Sequence, residues 1–200
     1  IIFPLTDEGF ANLKRVEERA VLQIQEAVEN NPGDIAGLIL EPIQGEGGDN
    51  HFREAFLRQL RKLANEHEFL LIYDEVQTGI GITGKMWAHE HYGEYCRPDI
   101  ISFGKKTQVC GIFAGTRLDE VEGHVFKESS RINSTWGGNL VDMVRFTIYL
   151  EIISQENLID KAAENGAYLK QKLETLQCKN IDKVSNVRNR GLFGAFDMRS

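Results

Sequence analysis

Residues 69–79 read Phe69-Leu70-Leu71-Ile72-Tyr73-Asp74-Glu75-Val76-Gln77-Thr78-Gly79. An apolar run of strand length, without alternation, predicts a strand covered on both faces, the habit of parallel sheets. Asp74 closes that run, and a polar, glycine-bearing segment follows. Working outward, Asp99 to Phe103 is a second strand candidate, followed at once by Gly104-Lys105-Lys106-Thr107. Upstream, Ala36 to Leu40 is a third, followed by Glu41-Pro42-Ile43-Gln44-Gly45-Glu46-Gly47-Gly48. Ile112 to Thr116 adds a fourth.

Helical periodicity fills the gaps. Phe10, Leu13, Val16, Ala20, Ile24 and Val28 predict an amphipathic helix over Glu8 to Asn30, stopped by Pro32-Gly33-Asp34. Phe52, Phe56, Leu60 and Leu63 mark a second helix. From Asn139 to Gln177 the pattern is mostly helical, with a break near Asn157, and Gly191 to Met198 reads as a strand opening another subdomain. Strands separated by helices predict an α/β fold: a mostly parallel sheet flanked by helices. In such sheets ligands gather beyond the carboxyl ends of the strands. The three polar segments therefore converge on one rim, which is the candidate site.

Composition narrows the function classes. The chain has 200 residues and a formal net charge of -7, with basic residues scattered among acidic ones, so no nucleic-acid footprint is present. No apolar run approaches membrane-spanning length. Cys96, Cys110 and Cys178 are unclustered, which suits a reducing, cytoplasmic setting and argues against disulfides or a zinc site. His89-Glu90-His91 lacks the i, i+4 spacing of a helical metal site, and Asn133-Ser134-Thr135 is read as a chance sequon. The chain opens at Ile1-Ile2-Phe3-Pro4 without Met, so further residues are expected upstream.

Two nucleotide motifs compete for the same segment. Gly79-Ile80-Gly81-Ile82-Thr83-Gly84 spells GxGxxG, with Asp99 downstream as a possible ribose ligand. That fingerprint needs its first glycine almost at the strand end, whereas Asp74 to Thr78 intervenes and sets two carboxylates beside the intended phosphate. Gly79 to Lys85 also spells GxxxxGK behind a Walker-B-like strand. Met86 stands where a magnesium-binding Ser or Thr is required.

Asp74 and Lys105 offer a different chemistry. Pyridoxal-phosphate (PLP) catalysis needs a lysine amine to form an imine and a carboxylate to keep the pyridine nitrogen protonated. Adjacent strand ends would hold the two groups a cofactor's width apart, and desolvation there is expected to favour the neutral amine.

The ordered blocks Glu41 to Gly48, Asp74 to Gly79, Thr83-Gly84-Lys85, Pro98-Asp99-Ile100 and Gly104-Lys105 resemble the class III aminotransferases over nearly the whole chain. Phe103 to Gly111 and Arg131 to Asn139 are similar to the L-lysine 6-aminotransferases within that family. Two departures from the wider class, Ile82 in place of arginine and Lys106-Thr107-Gln108-Val109-Cys110-Gly111 in place of a glycine-rich run, point the same way. Ornithine and 4-aminobutyrate remain as alternative donors.

The resemblance implies a fold type I PLP-transferase large domain, incomplete here, over 1–185, and the start of a C-terminal small domain over 186–200. It implies that Lys105 is the Schiff-base lysine, Asp74 the pyridine-nitrogen partner, Val76 a residue on the ring face and Gln77 a partner of the ring hydroxyl. Thr135 would bind the cofactor phosphate of the neighbouring subunit in a homodimer. Glu46 would be a substrate-side switch that covers an arginine beyond Ser200. The implied reaction moves the terminal amino group of L-lysine to 2-oxoglutarate. The phosphate loop and a stacking aromatic would lie upstream of Ile1. Rival readings are a dinucleotide-dependent oxidoreductase and a non-catalytic member of the same fold.

Overall fold

A computed structural model describes residues 7–132 and 134–199. Helix α1 (Asp7–Asn30) leads into strand β1 (Gly37–Leu40) and a small antiparallel pair, β2 (Ile43–Gln44) and β3 (Asn50–His51). Helix α2 (Glu54–Glu66) precedes β4 (Leu70–Asp74), and two 3-10 turns lie between β4 and β5 (Ile100–Phe103). Strand β6 (Gly111–Ala114), helices α3 (Leu140–Gln155) and α4 (Leu158–Lys179), and the hairpin β7 (Val184–Arg190) and β8 (Phe193–Met198) complete the order.

The main sheet runs β1-β4-β5-β6. β1, β4 and β5 are parallel, with Leu40 beside Tyr73 and Asp74 beside Ser102. This is the mostly parallel α/β sheet expected. β6 lies antiparallel to β5, Phe103 pairing with Gly111. Its link, 104–110, is shorter than the roughly one dozen residues that a parallel crossover needs, so the strand must turn back.

The core forms on one face of the sheet. Leu71 and Tyr73 of β4 are buried against Phe56, Leu57, Leu60, Leu63 and Ala64 of α2, with Ile101 and Phe69 beside them. Leu70 and Ile72 are only half-buried. The expectation of a strand covered on both faces therefore holds for one face among the described residues, and β4 alternates there despite its unbroken apolar sequence. Beneath the core, Arg53 grips Glu17 of α1 through Nε at 3.0 Å, a bidentate pair that fixes the first helix against α2.

The break foreseen near Asn157 is real: Asn157 has φ 51°, and this left-handed residue separates α3 from α4. α3 buries none of its residues among those described, and Leu140 and Val141 are 81% and 73% exposed. The polar strand β7 was not foreseen. It is held by Arg188 donating to Asp197 at 3.0 Å and by Asn186 donating to the same carboxylate at 2.8 Å. No helix among the described residues is long and apolar enough to cross a membrane.

Candidate active site

Because β1, β4 and β5 are parallel neighbours, Glu41 onward, Asp74 onward and Gly104 onward leave the same edge of the sheet. Hydrogen bonds tie the three exits together. Asp74 Oδ1 accepts from the Ser102 hydroxyl and from the Val76 N–H, each at 3.0 Å. Gln77 Nε2 donates to Glu46 Oε1 at 3.2 Å, and Lys106 Nζ donates to the Gln77 carbonyl at 2.6 Å. The rim thus brings together Glu46, Asp74, Val76, Gln77 and the Lys105-Lys106 pair.

Lys105 is exposed and has φ 51°, in the left-handed region that non-glycine residues rarely occupy. Gly104 before it packs closely: a side chain there would meet Cys110 Sγ at 3.0 Å and Val76 Cγ1 at 3.6 Å. The desolvation expected around Lys105 is not supplied by the described residues. Lys106, its neighbour, is the half-buried one, and burial with the charge of Lys105 beside it lowers its pKa. Thr135 lies exposed ahead of α3, with no hydrogen bond to the rim residues among those described.

The nucleotide motifs dissolve in the fold. No α-helix opens after Gly84, so the GxGxxG segment has no helix N-terminus to offer a pyrophosphate. Its glycines serve close packing: a side chain at Gly79 would strike the Trp87 ring at 2.7 Å, and one at Gly84 would strike Ala163 of α4 at 2.9 Å. Asp99 is taken by Arg61 at 2.9 Å, by Arg117 at 3.3 Å and by the Leu71 N–H at 2.8 Å. The two histidines of His89-Glu90-His91 turn to different partners, His89 to Glu75 and His91 to Thr83. Position 133 of the sequon and residues 1–6 lie outside the described residues.

The residues fit a pyridine cofactor at one end of the rim. Asp74 Oδ2 has no hydrogen bond among the described residues, while Oδ1 is held by two donors, so the carboxylate is aimed with one oxygen in reserve. The Lys105 amine likewise has no hydrogen bond or ion pair among them.

The family profile described as Aminotransferase class-III matches residues 1–200. The chain belongs to the class III aminotransferases. The L-lysine-epsilon aminotransferase of Amycolatopsis lactamdurans is 49% identical over 195 residues, 98% of this chain and 43% of that protein. That of Streptomyces clavuligerus is 48% identical over 185 residues, 92% of this chain and 40% of that protein. A solved lysine aminotransferase from M. tuberculosis in the internal aldimine form superposes with a TM-score of 0.92 at 47% identity. It covers 100% of this chain and 45% of its own, so the chain spans less than half the length of these relatives.

Membership of the class III aminotransferases sets aside the dinucleotide-dependent reading. It also sharpens what the sequence missed at the rim of this aminotransferase fold. Ser102, the one polar residue of Ile100-Ile101-Ser102-Phe103, orients Asp74; a hydroxyl within an apolar strand was the available signal. Glu75, beside Asp74, carries no sequence signal of its own role. It is 0% exposed and accepts from Thr78 Oγ1 at 3.1 Å, Ala88 N at 2.6 Å, His89 N at 3.0 Å and His89 Nδ1 at 2.8 Å. It therefore anchors the whole segment 75–89 that leaves the strand. Glu75→Ala would orphan those donors in a dry site and is expected to cost about 3–5 kcal/mol. Urea unfolding of the full-length protein checks this, and a loss under about 1 kcal/mol would contradict the anchoring role.

Proposed function

We propose that the full-length protein transfers the terminal amino group of L-lysine to 2-oxoglutarate, with PLP as cofactor, giving 2-aminoadipate 6-semialdehyde and glutamate. The observation that carries this is the pairing at neighbouring strand ends of an oriented carboxylate, Asp74, with an unpaired amine, Lys105. The lysine-directed relatives supply the donor. When bound, PLP provides an electron sink for charge left on the substrate carbon.

The chain's own residues do the rest. Lys105 would hold the cofactor covalently, and its amine would move the proton at the substrate carbon. Asp74, fixed by Ser102 and the Val76 N–H, would keep a proton on the ring nitrogen through its free oxygen. Such a contact would be worth most where negative charge develops. Val76, half-buried beside Gly104, would pack on a ring face, and Gln77 would reach the ring hydroxyl. Glu46, exposed and bonded to Gln77, faces the substrate as a switch residue for the two unlike substrates.

We take residues 1–185 as the centre of the PLP-binding large domain and 186–200 as the start of the small domain. The separate β7-β8 sheet supports a change of unit near there. Thr135 serves the neighbouring subunit of a homodimer, a role supported by the apolar outer face of α3 that follows it. Free cysteines at Cys96, Cys110 and Cys178 fit a cytoplasmic setting.

An amine-donor screen of the full-length protein with 2-oxoglutarate tests the reading. Ornithine is one methylene shorter than lysine, and a difference of that size is worth about 10-fold or more in kcat/KM. L-Lysine is expected to exceed ornithine and 4-aminobutyrate by at least that margin. Equal or better use of either would move the assignment to that donor.

A further inference from the structure

We infer that Lys106 is a positioning residue, a cationic staple that holds the loop after β4 against the loop after β5 and so aims Gln77 at Glu46. The inference rests on the proposed transaminase reading for its kinetic part. Its structural part stands on three contacts. Lys106 Nζ donates to the Gln77 carbonyl at 2.6 Å, and no backbone N–H among the described residues takes that oxygen. Gln77 Nε2 in turn donates to Glu46 Oε1 at 3.2 Å. The chain Lys106–Gln77–Glu46 therefore joins all three strand exits.

The surroundings make this a costly place for a lysine. Lys106 lines a cavity of about 310 Å³ together with Ile80, Ile82, Tyr149, Ile152 and Ile159. It has no acidic partner in ion-pair range among the described residues. Burial and the adjacent Lys105 charge both oppose its protonated form, and only Glu75 favours it. A methionine would line the cavity at lower cost. What a lysine adds there is a charge-assisted hydrogen bond to a main-chain carbonyl that would otherwise be loose. The loop it holds carries Val76 and Gln77 and begins at Asp74. A loosened carbonyl would leave Asp74 in place through Ser102 while releasing Gln77. Lys106 should thus matter to the placement of substrate through Glu46 and of the ring hydroxyl that Gln77 would reach, while the tether that Lys105 would make persists.

The test compares Lys106→Met and Lys106→Arg in the full-length protein loaded with PLP. Arginine keeps a cationic N–H donor on a long stem at this position and should restore the bond. Amide hydrogen exchange in residues 75–79 is expected to be about tenfold faster in the methionine variant and near wild type in the arginine variant. In steady state, methionine should raise KM for L-lysine about tenfold with kcat changed less than about twofold, the visible absorbance of the bound cofactor persisting, and arginine should reverse the change. Unchanged exchange in Lys106→Met overturns the staple. Faster exchange with an unchanged KM overturns its role in substrate placement. If the wild-type protein transfers no amine while the exchange results hold, the staple stands and the proposed function falls.

Discussion

Lys105→Ala is expected to abolish the borohydride-trappable bond between protein and PLP and to lower turnover by roughly 10⁴-fold or more. The size follows from the two tasks given to one amine. Under the proposed function it would hold the cofactor in a reactive covalent form and would carry the proton at the substrate carbon. Alanine removes both, and the aimed oxygen of Asp74 still supports non-covalent binding of the ring. The variant should therefore bind PLP weakly without the visible signature of the anchored form. Lys106 sits next in the chain and supplies an internal control. Its amine is committed to the Gln77 carbonyl at 2.6 Å, so it should not substitute. Mass spectrometry after borohydride reduction decides the matter: a reduced adduct on the peptide containing Lys106, or an intact yield in the alanine variant, would remove Lys105 from its role.

Asp74→Asn is expected to leave that covalent adduct intact and to lower kcat by about 10²–10³-fold. Asparagine can keep the hydrogen bonds from Ser102 and Val76 through its amide oxygen, so the geometry of the rim survives. The difference lies at the second position. Where the carboxylate would offer an oxygen to a protonated ring nitrogen under the proposed function, the amide would offer an N–H, which favours the unprotonated ring and weakens its pull on electrons. Single-turnover rates with L-lysine isolate this effect from product release. A rate within about fivefold of wild type would show that Asp74 does not act on the ring nitrogen.

Much of this architecture is legible in the residues, for identifiable reasons. α1 was expected over Glu8 to Asn30 and spans Asp7–Asn30, because its apolar stripe is long and Pro32-Gly33 ends it. The shared rim follows from apolar strands that each give way to polar residues, and the parallel register of β1, β4 and β5 places it. β7 escaped because Val184-Ser185-Asn186-Val187-Arg188-Asn189-Arg190 carries no apolar alternation; its stability comes from the Arg188 and Asn186 bonds to Asp197, which only the fold brings near. β2 and β3 are too short for any periodicity to register. At the site, Asp74 and Lys105 stood out as a chemical pair, whereas Glu75 and Lys106 looked like neighbours of little consequence. Their importance lies in partners at distant sequence positions, Ala88 and His89 for one and Gln77 for the other. Glycine spacing misled for a related reason: the approach of Ala163 to Gly84 is a tertiary fact that a local pattern cannot hold.

The left-handed backbone at Lys105, φ 51°, sets a side chain in a conformation that glycine adopts freely and that costs other residues about 1–3 kcal/mol. Heat resistance and reactivity therefore pull in opposite directions at this position. Selecting variants by melting temperature alone would favour glycine at 105 and discard the amine proposed to anchor the cofactor, in a protein that folds better for having lost it.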